Sequence, residues 1–239
     1  MIFCFGNSHV SIFSGNDKMV PIWPARSIDY LPWFRTFRLG AGTAYQAMKH
    51  VNEILNIVQQ WLVSIDFNKE NDTILLVFGE VDVRSHIISQ AEKQNRSIDS
   101  ITLEVVDRYF EAIMFLKNKG FKVAVFGCVA GYVVPEGSNG PPWPHVGTLK
   151  QRNGATRLLN NSISALCKSV DIPFISVFDE MLGEDGITTK TKYLDMDVAC
   201  VHITTRMLPL VLWKFRDIGL ISWEDIIAPY EVGNNKFEK

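Results

Sequence analysis

The sequence holds no apolar run approaching the roughly 18 residues that a membrane-crossing helix needs, so no membrane role is expected. No basic leader with an apolar stretch and a small-residue cleavage site opens the chain. Ile2 to Phe5 is short and runs straight into Gly6, which predicts a soluble, cytoplasmic protein. Runs of lysine and arginine are also missing, and 24 basic against 26 acidic residues leave a formal charge of -2 with the signs interspersed. Such a surface exerts no long-range pull on polyanions, so nucleic acid is not an expected partner. Cysteine is sparse: Cys4, Cys128, Cys167 and Cys200 lie far apart without CxxC spacing and mostly in apolar company, as in Val125-Phe126-Gly127-Cys128-Val129. This pattern predicts buried free thiols, no disulfide and no metal centre.

Two familiar signatures are absent as well. There is no G-x-S-x-G elbow, which argues against an ordinary α/β-hydrolase. Gly40-Ala41-Gly42 is not followed by a glycine three residues on, which argues against a dinucleotide-binding Rossmann domain, and no cofactor is expected.

What is present is a strongly hydrophobic chain, 47% apolar over 239 residues, enough for one large core. Short β-branched and aromatic runs recur at Ile2 to Phe5, Phe34 to Leu39, Thr73 to Phe78, Lys122 to Phe126 and Pro173 to Val177. Bounded by Gly, Asn or Asp, they predict five buried strands. Between them, Thr43 to Ile65, Asp99 to Lys119 and Thr148 to Ser169 carry apolar residues at helical spacing, and a last helix is expected over about Thr204 to Ile218. In the first of these helices Gln46, Lys49, His50 and Glu53 fall on the face expected to meet solvent. Strands alternating with helices imply a three-layer α/β/α sandwich around a central, mainly parallel five-stranded sheet. Residues 1–232 are expected to form one domain, with 233–239 a frayed polar tail.

In such sheets functional groups gather beyond the carboxyl ends of the strands. Four stretches qualify: Gly6-Asn7-Ser8-His9, Gly40-Ala41-Gly42-Thr43, the segment Gly79 to His86, and the loop from Asp195 to His202. A serine nucleophile needs a base, a group that orients the base, and donors for the developing oxyanion. Ser8 could be that nucleophile, His202 its base, and Asp197 or Asp195 the orienting carboxylate. The amides of Ser8 and of Gly42 or Gly40 could be the donors. Each signal has a plainer alternative, since a serine after a strand often caps a turn and Gly40 and Gly42 would serve an ordinary strand-to-helix connection. His9 is expected in local hydrogen bonding beside Ser8, within reach of a substrate.

The order of these four blocks resembles that of the SGNH (GDSL-type) hydrolase superfamily, and the likeness covers nearly the whole chain. The string Val77-Phe78-Gly79-Glu80-Val81-Asp82-Val83-Arg84-Ser85-His86 further resembles a G-E-I-D-x-R-x-H signature of a subgroup associated with bacterial polysaccharide gene clusters. The resemblance implies an SGNH/flavodoxin-like fold and a metal-free esterase or O-acyltransferase acting on a small-molecule or carbohydrate substrate. It implies Ser8 as nucleophile, His202 as base, and the Ser8 amide, the Gly42 or Gly40 amide and residue Asp82 at the oxyanion. Three positions depart from the superfamily pattern: Asn7 replaces an aspartate, Asp82 an asparagine donor, and Ala199 the aspartate three residues before the histidine. These departures motivate a second expectation, a non-catalytic carbohydrate-binding or partner domain on the same fold.

In the third block Glu80, Asp82, Arg84 and His86 alternate with Val81, Val83 and Ser85, so an extended segment would set all four on one side. They could form an internally compensated ion network, or Arg84 and His86 could hydrogen-bond a polar substrate, with Glu80 in the same row. The stretch Gly131 to His145 is too rich in Gly and Pro for a helix and should form a loop over the same edge. Tyr132 and Trp143 could offer flat faces to sugar rings there, and His145 is a reserve acid or base.

Overall fold

The computed structural model describes residues 1–64, 67–132, 145–194, 202–222 and 224, leaving aside the side chains of 61–64. Five strands form where β-branched and aromatic residues cluster: β1 (Ile2–Gly6), β2 (Phe34–Arg38), β3 (Thr73–Val77), β4 (Lys122–Phe126) and β5 (Phe174–Ile175). All four pairings are parallel and the order is β2-β1-β3-β4-β5. Every residue of β1 and β3 is buried, which is why these strands read as unbroken apolar runs.

Side chains alternate between the two faces with the period of two that a strand imposes. Phe3, Phe5, Ile74, Leu76, Val123 and Val125 join one core cluster, while Ile2, Cys4, Leu75, Val77, Ala124 and Phe126 join the other. Against the first face pack the helices α1 (Ala47–Ser64), α2 (Ile87–Gln94), α3 (Ile98–Asn118) and α4 (Leu149–Ser169). Against the second pack a 3-10 helix at Ser8–Ser14, the short α5 (Phe178–Met181) and α6 (Leu208–Asp217). The result is the expected three-layer α/β/α sandwich.

Local chemistry explains the helix ends. Ser97 caps α3 by accepting the Ser100 amide, and Thr148 and Gln151 form a reciprocal capping box at α4. The last predicted helix is divided: a 3-10 turn at Thr205–Met207 leads into α6, with Pro209 in its first turn where no amide donor is needed.

Two expectations are corrected. The third block is helical, not extended: Glu80 and Val81 begin a helix that passes through a π-helical turn at Asp82–His86 and continues as α2. Residues 80–85 are all buried and His86 is exposed, and Glu80 meets Arg84 as an i,i+4 pair. His50 is not on a solvated face. It is 9% exposed, with its ring stacked on Phe78 at 5.6 Å between centroids.

Among the described residues no helix is long and apolar enough to cross a membrane. Cys4, Cys128 and Cys167 are free and buried, and Cys200 lies outside the described residues.

Candidate active site

Gly6 ends β1 where the backbone of β3 comes closest: a Cβ there would lie 1.9 Å from the Val77 carbonyl oxygen, so only glycine fits. The next amide, Asn7 N–H, donates to that same Val77 carbonyl at 3.2 Å. The chain then turns into the 3-10 helix, and it is Asn7 that caps it, its Oδ1 accepting the His9 amide at 3.0 Å. Ser8 is thereby freed from the capping duty that a serine after a strand commonly performs. Gly15 closes the helix in the left-handed region at φ 82°.

This 3-10 helix is firmly seated. Phe13 meets Phe126 edge-on at 5.2 Å and lies 5.8 Å from Phe215 of α6, and all three are buried. Burial of each such ring is worth about 1.5–3 kcal/mol, which makes the first residue of the helix a well-supported position.

Ser8 Oγ and His202 Nε2 are 2.8 Å apart, a hydrogen bond across 194 residues of sequence. Both residues are half-buried, so the pair is held yet reachable. The histidine's segment is fixed by a bridge between Leu194 and Ile203 and by the Thr204 amide donating to the Tyr193 carbonyl at 2.9 Å. It is tied to the N-terminal region as well: Asp17 accepts the Thr205 amide at 2.6 Å and the Thr205 hydroxyl at 3.1 Å. The His9 ring lies 5.3 Å from that of His202, with its Nδ1 3.2 Å from Asn7 Oδ1. Asp195 and Asp197, the candidates for orienting His202, lie outside the described residues, as do Ala199 and Trp143.

The second block adjoins the first. The Leu39 amide donates to the Gly6 carbonyl at 2.8 Å, after which Gly40 turns the chain at φ 74°. Gly42 is packed on aromatic rings: a Cβ there would stand 2.8 Å from Phe78 Cε1 and 3.1 Å from His50 Nε2. His50 Nε2 has no hydrogen-bond partner among the described residues, and burial lowers the pKa of this imidazole.

Asp82 joins the third block to the second. Its Oδ2 accepts the Ala44 amide at 2.7 Å and its Oδ1 the Tyr45 amide at 3.0 Å. Complete burial pushes its pKa up to about 7, opposed by these amides and aided by the neighbouring Glu80. Arg84 Nε donates to Glu80 Oε1 at 2.5 Å. Both members of that pair are buried, while Asp82 binds backbone amides and His86 stands apart from the pair. His86 is exposed and, with Thr43, Tyr45, Gln46, Asp82 and Gln90, lines a cleft of about 450 Å³ on the α1/α2/α3 side of the same edge.

Beyond β4 the chain is pinned by polar residues of α4 that helical periodicity did not reveal. Asn160 spans the Cys128 amide and carbonyl, both at 2.8 Å, Asn153 accepts the Gly131 amide at 2.8 Å, and Arg152 donates to the Tyr132 carbonyl at 2.8 Å. The expectation that Tyr132 offers an open stacking face is corrected. It is 4% exposed, with its hydroxyl 2.7 Å from His145 Nε2. Burial and the nearby Arg84 and Arg152 push His145 down to about 4, so its ring is neutral at pH 7. Among the described residues no three His, Cys, Asp or Glu side chains are grouped to hold a metal ion.

No protein-family profile and no curated protein matches the chain by sequence. Solved structures do resemble it. A catalytic mutant of an acetylxylan esterase from Geobacillus stearothermophilus superposes with a TM-score of 0.53 at 12% identity, over 93% of this chain and 94% of that one. An acetyl xylan esterase superposes at 0.52 and 12% identity over 92% of this chain and all of its own. A GDSL-like lipase from Bacteroides thetaiotaomicron VPI-5482 superposes at 0.51 and 13% identity, over 89% and 85%. At such identities the likeness is one of fold, and over nine-tenths of its length this chain has the fold of the two acetyl xylan esterases.

Proposed function

We propose that the protein is a serine esterase that removes acyl groups, acetyl foremost, from a carbohydrate or carbohydrate precursor. The observation that carries the reading is the 2.8 Å contact between Ser8 Oγ and His202 Nε2. A hydroxyl in hydrogen-bond reach of an imidazole at a sheet's carboxyl edge is the arrangement that general-base activation requires. Carbohydrate as the acyl carrier draws support from the acetyl xylan esterases that share the fold.

In this mechanism His202 Nε2 takes the Ser8 proton as Oγ attacks the acyl carbonyl. The resulting oxyanion is met by the backbone amides of Ser8 and Gly42, and the proton passes to the departing sugar oxygen. Water, deprotonated by His202, then releases the acid and restores Ser8; a second sugar hydroxyl in place of water would make the same chemistry an acyl transfer. Asp197 is the proposed orienting carboxylate of His202.

Acetate release from acetylated xylo-oligosaccharides and from p-nitrophenyl acetate tests the reading. Ser8→Ala should lower kcat/KM by at least about 10³-fold with the melting temperature preserved. An unchanged rate in Ser8→Ala would remove Ser8 from the chemistry. Oligosaccharide binding by a parent protein with no turnover would instead favour a non-catalytic carbohydrate-binding domain, the reading that Asn7 and Asp82 motivate.

A further inference from the structure

We propose that Asp82 is a positioning residue: as an acceptor of two backbone hydrogen bonds it holds the loop that carries Gly42, and it donates nothing to the oxyanion. The inference rests on the esterase reading in one respect, namely that the Gly42 amide faces the reacting carbonyl.

The geometry is that of a clamp. One carboxylate oxygen receives Ala44 N–H at 2.7 Å and the other Tyr45 N–H at 3.0 Å, from a side chain with no exposure to solvent. These two amides lie at the mouth of α1, where the Gln46 and Ala47 amides already reach back to the Thr43 and Ala44 carbonyls at 3.3 and 3.1 Å. Asp82 thus satisfies the orphan donors ahead of a helix from a different element, as an N-cap does locally. With the Leu39 amide on the Gly6 carbonyl at the other end, residues 40–43 are anchored on both sides. Gly42 is then seated against Phe78 with no room for a side chain.

Two acceptor atoms are what the position demands. An asparagine would offer a single acceptor and turn its NH₂ toward the second backbone N–H, losing one bond and setting donor against donor. Protonation of Asp82 has a similar effect, since one oxygen becomes a donor. Burial and the Glu80 charge favour the acid, the two amides favour the carboxylate, and the balance falls at about 7. The other titratable groups around it are Tyr109 of α3 and Cys128 after β4, both buried, together with His86 and Glu104 on the cleft wall.

The test uses the whole protein in two arms. In the first, the Ala44 and Tyr45 amide proton shifts are followed by NMR from pH 5 to 9. They should titrate together with one midpoint, and that transition should vanish in Asp82→Asn. Independent titration of the two amides, or amide shifts that Asp82→Asn leaves where they were, overturns the proposal. In the second arm, Asp82→Asn should lower kcat for an acetyl ester on the order of 10- to 100-fold with KM little changed, as expected when a donor loop is misplaced. A variant as fast as the parent, or faster, overturns it, because an asparagine donor would then be serving the oxyanion. The first arm involves no turnover, so it reads the clamp even if Ser8→Ala shows the esterase reading to be wrong.

Discussion

Asp17 and Thr205 are joined twice across 188 residues, the Thr205 amide donating to one carboxylate oxygen at 2.6 Å and its hydroxyl to the other at 3.1 Å. One end of this link follows the 3-10 helix that begins at Ser8, and the other follows His202 by three residues. The contact therefore sets the approach of His202 to Ser8. Asp17→Ala is expected to slow acyl turnover about tenfold or more through a looser Ser8–His202 pair. The link is exposed, so its loss should cost only about 1 kcal/mol of stability in urea titration. Loss of stability with full activity would mean that the histidine's segment is held by other contacts.

Gly6 is predicted to be intolerant of any side chain. A methyl group at this position would overlap the Val77 carbonyl oxygen, and the strand pairing that carries Asn7 and Ser8 would have to open. Gly6→Ala should destabilise the protein by at least about 3 kcal/mol, or prevent its folding, as seen by thermal melting and soluble yield. Gly40→Ala is the comparison. Nothing lies within 4 Å of its Cβ, so its cost is confined to the φ of 74° and should be about 1–2 kcal/mol.

His145 should weaken the fold in acid. Its imidazole is held neutral in the folded protein down to about pH 4, whereas in the unfolded chain it takes up a proton near pH 6.5. The unfolded state therefore binds more protons between these values, and stability should fall as pH drops from about 6.5 towards 4. His145→Gln should flatten this limb of a urea-midpoint-versus-pH curve while lowering its plateau through loss of the Tyr132 contact. An unchanged acid limb in the variant would assign the effect to other groups.

The sheet was legible because buried parallel strands are written as apolar runs. Lys122 to Phe126 is recovered to the residue, and the other strands to within two residues at either end. The Ser8 and His202 blocks were legible for a topological reason, since residues just past strand ends meet at one edge whatever their separation in sequence. The third block was misread because alternation of Glu80, Asp82, Arg84 and His86 fits an extended chain, while the i,i+4 pairing of Glu80 with Arg84 fits a helix equally well. Tertiary context chose the helix. Asp17, Asn153 and Asn160 left no signal, because a polar residue that pins a distant backbone looks in sequence like any solvent-facing one. His50 was misplaced for a related cause: its position on α1 is polar by composition, yet the Phe78 ring covers it.

Activation of the Ser8 hydroxyl by His202 is read out by mass-spectrometric mapping of a fluorophosphonate adduct. The expected result is a single phosphonylated peptide spanning Ser8 in the parent protein, with labelling slowed at least about 100-fold in His202→Ala. A folded parent protein that stays unlabelled at Ser8, or a His202→Ala variant labelled as fast as the parent, would contradict it.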